Sequence, residues 1–408
     1  MSNLNVDERL QNASFLRDEL NKTMRNAVLP VTVFVAVELI FGLFGNVLIL
    51  IVYSGRYKRS NFRCFVLSMA TVDLTSCCTT LPGEIISQLN WYNYQYGWIC
   101  KVKSYFNIFT AWSSASVLLM LAFDRYRKIC RPFSWQIHTT LALKICGCLL
   151  TLSFLVSIPA TILWGKQEYI YEYEGFNITV SVCEKSTQYA DSIYPLVYIG
   201  SVYFLPTGSM IFVAGTLNFL TARKLFGLKA VKVTSVVISS TLHELSPERS
   251  DKSSTSQGYA TDETITETSN DNGNSATRGK AFHSENQRRQ RALQASFCRK
   301  RKTIIMLVLT SVFIITMAVY VILTSFVAKR DGILKEMPNS SKVLFFFFWR
   351  LYFINCVINP ILYGFMDPRF RSGLLRFLHK PDEELVSIKT DMTENRDQGR
   401  QQLYSMER

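Results

Sequence analysis

Charge is scarce in this sequence. Charged residues make up 19% of the 408, against about a quarter in ordinary soluble domains. Histidine is rarer still: His138, His243, His283 and His379 all fall in predicted loops or at a span edge. A zinc hydrolase inside a membrane needs His and carboxylates within its bundle, so that chemistry lacks a ligand set, and no nucleophile–base constellation stands in its place. Repeated halves and broken helices with mid-bilayer charges, which mark many transporters, are missing as well. There is no basic-then-apolar start at Met1, so a cleaved signal peptide is not expected.

What is abundant is apolar residues, at 48%, and they are bunched. Seven runs of roughly 20 to 28 residues are each long enough, as helices, to cross a hydrocarbon core of about 30 Å. They are placed at Pro30–Tyr53, Phe62–Gln88, Lys101–Ile129, Leu141–Trp164, Ile193–Leu220, Thr303–Val327 and Val343–Met366. The expected fold is an all-α membrane protein, a seven-transmembrane helix bundle. The organisation is a glycosylated tail (1–29), the bundle (30–366) and a cytoplasmic tail (367–408). Soluble enzymes, DNA-binding proteins and disulfide-knotted secreted modules are excluded.

Short basic loops orient such a bundle. Arg56, Lys58, Arg59 and Arg63 follow the first span, and Arg125, Arg127, Lys128 and Arg131 leave the third. The expected topology has the amino terminus outside and the carboxyl terminus inside, as a multi-pass plasma-membrane protein. The net charge of +14 is then attraction to anionic lipid rather than nucleic-acid binding. Arg299, Lys300, Arg301 and Lys302 serve either as a membrane stop signal or as a contact for a cytosolic partner. The sequons at Asn12, Asn21, Asn177 and Asn339 all fall on segments assigned outside.

The segment 223–302 is expected to be a disordered third cytoplasmic loop, poor in aromatics and rich in hydroxyls near acids, as at Ser253–Ser256 and Thr261–Thr266. It reads either as a phosphorylation target or as a solvated linker. Among ten cysteines, Cys64, Cys77, Cys78, Cys146, Cys148 and Cys356 are expected to pack inside spans, and Cys130 and Cys298 to face the reducing cytosol. Only Cys100 and Cys183 remain outside, so one disulfide is predicted between them. Strand-like alternation in 168–173 and 178–183 flanks Glu174–Asn177 and predicts a β-hairpin.

Ionisable and amide groups in spans are functional candidates by default. Asn46, Asp73, Asn355 and Asn359 are expected to meet in one buried polar cluster. With Asp124-Arg125-Tyr126 lying 25 residues after Cys100, counted to Arg125, and Asn359-Pro360-Ile-Leu-Tyr363 followed by Asp367-Pro-Arg-Phe370, the chain resembles the rhodopsin-like (class A) G-protein-coupled receptors over all seven spans. The resemblance implies a sodium-ion pocket lined by Asp73, Ser114, Asn355 and Asn359, where a hard cation takes oxygen ligands. It also implies that Arg125, held by Asp124 at rest, turns toward a heterotrimeric G protein on activation, with Phe313 and Met317 in the switching core. Receptor kinases and arrestin are further expected partners. A short amphipathic eighth helix is expected near Pro368–Leu378. The sequence departs from the family where Met317 and Val319 replace the sixth span's usual tryptophan and proline. The fourth-span tryptophan is missing, Ala214 stands where the fifth span usually has tyrosine, and no palmitoylation cysteine follows Tyr363.

Asn107 occupies the place of the amine receptors' aspartate, and Phe353 that of the retinal-binding lysine, which disfavours both ligands. At 1.5 Å per residue, Glu38 lies about 12 Å outward of Asn46, Glu84 about 16 Å outward of Asp73, and Arg350 about 14 Å outward of Asn359. Glu84 and Arg350 either pair structurally or grip a charged group of a ligand. Tyr320 is a further binding candidate. Glu168, Glu172, Glu174 and Glu184 are placed to steer a cationic peptide; Trp91, Tyr92, Tyr94 and Trp98 are either contact surface or an interfacial belt. The favoured reading is a receptor for a peptide; the alternatives are a receptor for a non-peptide small molecule, an intramembrane enzyme or a transporter.

Overall fold

The computed structural model describes residues 6–56, 59–244, 300–326, 337–368 and 370–375. Seven helices in it are long and apolar enough to cross a membrane. They are α1 (Val6–Arg56), α2 (Asn61–Leu89), α3 (Gly97–Cys130), α4 (Thr139–Ser157), α5 (Leu205–Glu244) and α6 (Lys300–Phe326). The seventh, α7, is assembled from Asn339–Arg350, a 3-10 turn at Leu351–Ile354, and Asn355–Met366. Val37, Phe41, Phe44, Leu143, Leu155, Phe212 and Ile315 point away from the bundle and are exposed, as they must be if lipid is the solvent. On α2, Thr71, Thr75 and Thr79 donate back to carbonyls one turn earlier, which satisfies their hydroxyls without water.

Prolines set the joints. Pro360 has no N–H for the carbonyl of Cys356, and Asn46 of α1 donates to that oxygen at 2.8 Å. Pro206 likewise leaves the carbonyl of Val202 free, and the Trp112 indole of α3 donates to it at 3.0 Å. Pro159 interrupts α4 after Ser157, a short helical turn at Ala160–Leu163 completes the fourth span, and Trp164 begins a strand. The span Thr139–Leu163 agrees with the expected one to within two residues at each end, and α4 is its longer part. The last carbonyls of α4 are capped from neighbouring helices, by Tyr105 on Phe154 and Tyr198 on Val156. The fifth span starts with Tyr194–Val197, then widens into a π-helical stretch, Tyr198–Phe204, before α5.

Two expectations are corrected. The first twenty or so residues assigned to a disordered loop are helical, since α5 runs on to Glu244; this stretch keeps apolar residues that the average over the loop concealed. Cys78 and Cys148 face outward instead of packing inside, because the helix repeat that turns Cys77 and Cys146 inward rotates them away. The hydroxyl runs at 253–256 and 261–266, Cys298, Arg299, His283, His379 and the chain beyond 375 lie outside the described residues.

The segment before the first span is not an irregular tail. From Val6 it continues α1, and Leu20 packs on Ile178 and Val180 of the hairpin. That hairpin pairs β1 (Trp164–Tyr173) with β2 (Phe176–Lys185) in antiparallel register. Its turn is tighter than expected: two residues, Glu174 and Gly175, both with positive φ of 51° and 80°, the geometry that matches strand twist. Cys183 of β2 is disulfide-bonded to Cys100 at the start of α3. At the opposite end, residues 370–375 are helical, and Phe370 is buried against Tyr53.

Close approach of α1 to α7 depends on Gly45. A Cβ there would lie 2.4 Å from Pro360 Cγ, whereas one on Gly55 would meet nothing within 4 Å. Gly45→Ala is expected to destabilise the purified protein by about 1–3 kcal/mol, read as a lowered thermal midpoint, with Gly55→Ala as the silent control. Equal midpoints for the two would remove this contact from the account.

Candidate functional site

Three polar constellations run along the bundle axis. The one nearest the hairpin is an ion cluster. Glu84 of α2 is bound by Arg350 of α7, whose Nε donates to Oε1 at 2.7 Å and whose Nη2 donates to the same oxygen. Lys103 of α3 donates to Oε2 at 3.3 Å and to Ser87 at 2.9 Å, and Gln88 adds a donor to Oε1 at 3.3 Å. The guanidinium of Arg350 lies over Trp349, 4.5 Å from the ring, and near Phe346. Gly83 makes this possible, since a Cβ there would meet the Cβ of Lys103 at 2.9 Å. The pairing of Glu84 with Arg350 was foreseen as one of two options; Lys103 was not. Its signal was available, because it is an ionisable residue inside the predicted third span.

Glu38 does not join this cluster. It is 4% exposed, and neither carboxylate oxygen has a hydrogen-bond partner among the described residues. Asn107 accepts from the Tyr352 hydroxyl at 2.9 Å, and Tyr320 packs on Tyr352 with ring centres 4.9 Å apart. Glu172 and Glu174 are exposed at the hairpin tip. Along the hairpin, burial pushes the Tyr169 hydroxyl up to about 12, helped by the nearby Glu184, so it is a neutral donor at physiological pH. Asn12 and Asn177 are exposed. Asn21 is half-buried, donating to the carbonyl of Leu89 at 3.2 Å and accepting from the amide of Tyr92 at 3.0 Å. Asn339 opens α7.

The middle constellation only partly forms the expected cluster. Asn359 donates to Asp73, which is 2% exposed. Asn46 instead holds the Cys356 carbonyl, and Asn355 donates to Thr316 of α6 at 3.0 Å and to the carbonyl of Tyr352 at 2.7 Å. Asp73, Ser76, Ser114 and Asn355 line one small cavity, floored by Phe313 and Met317. Asn359 reaches Asp73 from beside it. One group was coupled to another by backbone direction alone, which residue type and spacing do not report.

At the far end, Asp124 is saturated with donors. Arg125 donates to it at 2.6 Å, Lys128 at 2.9 Å and Asn61 of α2 at 2.8 Å. Asn61 also holds the carbonyl of Ile137, in the loop before α4. Arg125 is buried with its Nε unpartnered among the described residues; Tyr126 is half-buried. Nearby, Tyr363 is buried against Tyr53 and Phe62, and Tyr53 donates to Asp367 at 3.0 Å.

Seven apolar helices, a buried carboxylate at mid-bundle and an Asp–Arg pair at one end define a bundle of membrane-spanning class. Residues 45–363 match the family described as 7 transmembrane receptor (rhodopsin family), and the chain belongs to that family. It is similar to the mesotocin receptor of Rhinella marina, 25% identical over 167 residues, covering 41% of this chain and 42% of the relative. It resembles the allatostatin-A receptor of Bombyx mori at 30% over 175 residues, covering 41% and 46%. The human D(1B) dopamine receptor is 31% identical over 135 residues, covering 32% and 28%. The chain thus spans less than half the length of each of these relatives.

Removing the shared anion of the hairpin-end cluster should be costly. Glu84→Gln leaves two cations facing each other with little water, an expected loss of about 3–5 kcal/mol. The double variant Glu84→Gln/Arg350→Gln should recover part of that loss. Chemical denaturation of detergent-solubilised protein measures both; an unaltered midpoint for the single variant would mean that the cluster is solvated.

Proposed function

We propose that this chain is a plasma-membrane receptor that converts binding of an extracellular peptide at its hairpin end into activation of a heterotrimeric G protein at its Asp124–Arg125 end. The amino terminus shares the outer side with the hairpin. What carries the reading is the juxtaposition of an ion cluster beneath a disulfide-tethered hairpin with a separate Asp–Arg lock, its carboxylate saturated, at the other end. Binding at one end biases the other only if the bundle has two packings that the ligand weighs differently. Asn355, which joins α7 to Thr316 of α6, and the cavity over Phe313 and Met317 lie between the two ends.

The peptide assignment draws on relatives named for mesotocin and allatostatin-A. A dopamine receptor is also among the relatives, which favours an amine as the second reading. Against it, Asn107 is uncharged and occupied by Tyr352, and the nearest ionic groups carry an excess of positive charge.

A sodium ion fits the middle constellation. Asp73 is a buried carboxylate with no cation paired to it among the described residues, and Ser114 and Asn355 offer oxygens to the same cavity. Asp73, Ser114 and Asn355 would hold the ion, and Asn359 would orient the carboxylate. The ion would supply the counter-charge that a buried carboxylate requires.

Two measurements test the receptor reading. Arg125→Ala is expected to abolish agonist-stimulated nucleotide exchange while preserving ligand binding; loss of surface expression instead would assign Arg125 a structural role. Cys100→Ser, Cys183→Ser and the double variant should weaken extracellular binding equally, by an amount in keeping with loss of a tether worth about 2–4 kcal/mol. Unequal single-variant effects would count against a shared role in holding the mouth.

A further inference from the structure

The ion cluster beneath the hairpin is unbalanced. Lys103 and Arg350 bring two positive charges, Glu84 brings one negative charge, and the three side chains are only 15%, 11% and 10% exposed. Among the described residues, no second carboxylate pairs with either cation. Two cations and one anion held away from water form an arrangement that gains by accepting one more negative charge.

The hydrogen-bond count agrees with the charge count. A guanidinium has five N–H donors and an ammonium three, so the pair offers eight. Four are committed: Arg350 Nε and Nη2 to Glu84, and Lys103 to Glu84 and to Ser87. The Lys103 and Arg350 side chains keep 15% and 11% of their surface accessible, which leaves a route to the spare donors. Glu84, by contrast, has both oxygens occupied, one of them by three donors once Gln88 is included. Its contact with Lys103, at 3.3 Å, is longer than the 2.7 Å bond from Arg350. The weaker side of the cluster therefore faces α3.

The surroundings are neutral and aromatic. Trp349 and Phe346 flank the guanidinium, and Tyr320 of α6 packs at a tilt against Tyr352 of α7. Such walls raise the strength of any charge–charge contact made within them. Outside, the hairpin carries Glu168, Glu172, Glu174 and Glu184 against Lys166, which pairs with Glu168, and Lys185, so its excess charge is negative. The approach is thus acidic and the interior basic.

We propose that Lys103 and Arg350 receive a carboxylate of the ligand, which shares the two cations with Glu84, so that the ligand enters with its anionic end first and leaves any cationic segment against the hairpin. This rests on the peptide reading and sharpens it: the buried end of the peptide carries a free carboxylate, either the chain terminus or an Asp or Glu side chain. A lone amine is excluded from this position by the cationic surplus.

The test uses cells expressing the full chain, with calcium and cyclic-AMP readouts. Two matched peptide libraries are applied, one with free carboxyl termini and one amidated, together with a set of small carboxylic acids and amines. The expected result is activation by free-acid peptides, with at least about a tenfold loss of potency on amidation, the scale of one charge-assisted hydrogen bond. Lys103→Gln should cause a similar loss and Lys103→Arg should restore most of it. Lys103→Gln leaves Glu84 paired one-to-one with Arg350, so surface expression should persist and separates binding from folding. Amidated peptides that work only when they contain Asp or Glu support the site through a side-chain carboxylate. Amidated peptides without acidic residues that match their free-acid forms and ignore Lys103→Gln overturn the carboxylate site and leave the peptide reading standing. Activation by small carboxylic acids alone, sensitive to Lys103→Gln, overturns the peptide reading and keeps the site. Activation by amines alone, or by nothing in any arm, overturns both.

Discussion

In hydrocarbon every backbone N–H and C=O must find a partner inside the protein, and the bundle is arranged around the places where a helix fails to supply one. Proline creates such failures. At Pro360 the freed carbonyl of Cys356 is taken by Asn46, and at Pro206 that of Val202 is taken by Trp112. Each repair comes from a different helix, so the local defect becomes an interhelical bond: α1 to α7 in one case, α3 to the fifth span in the other. The carbonyls at the end of α4 follow the same rule through Tyr105 and Tyr198. Tertiary structure here is specified less by apolar matching, since lipid is as apolar as the helix faces, than by which side chain reaches which orphaned oxygen.

Charge obeys a related constraint. The two clusters of ionic groups sit at opposite ends of the bundle and are built alike, each with one acid shared by two bases: Glu84 with Lys103 and Arg350, Asp124 with Arg125 and Lys128. In both the carboxylate is saturated with donors. Between them lies Asp73, with Asn359 and Cys356 as side-chain partners and no cation paired with it among the described residues. Two bases for one acid at the hairpin end, and a carboxyl with no paired cation among the described residues in the middle, give the bundle an uneven charge distribution along its axis. A ligand, an ion or a partner protein that changes one of these three sites alters the electrostatic cost at the others.

Much of this was legible before any coordinates. The seven spans follow from run length; the rise per residue, with the common level that the family resemblance implies, brought Glu84 and Arg350 to similar depth but left open whether they pair or grip a ligand. The hairpin follows from alternation, although its turn was drawn two residues too long, because the positive φ of Glu174 is not encoded by residue type. Lys103 was overlooked because it stands close to a span edge, where lysines ordinarily reach for water; only Gly83, by admitting its stem, turns it inward. The partners of Asn46 and Trp112 were hidden for a different reason. A freed carbonyl is announced by proline, but the donor that fills it is chosen by helix packing. The extension of α5 to Glu244 was masked by averaging composition over a segment whose two halves differ.

The length of α1 has a mechanical consequence. Its 51 residues correspond to about 77 Å at 1.5 Å each, more than twice the roughly 30 Å of hydrocarbon it has to cross. The remainder projects beyond the lipid, braced against the hairpin at Leu20, while Asn46 holds the membrane part to α7. Pro30 stands between the two and gives the helix a joint there, so a load on the projecting part reaches α7 through two helical arms that share one bend.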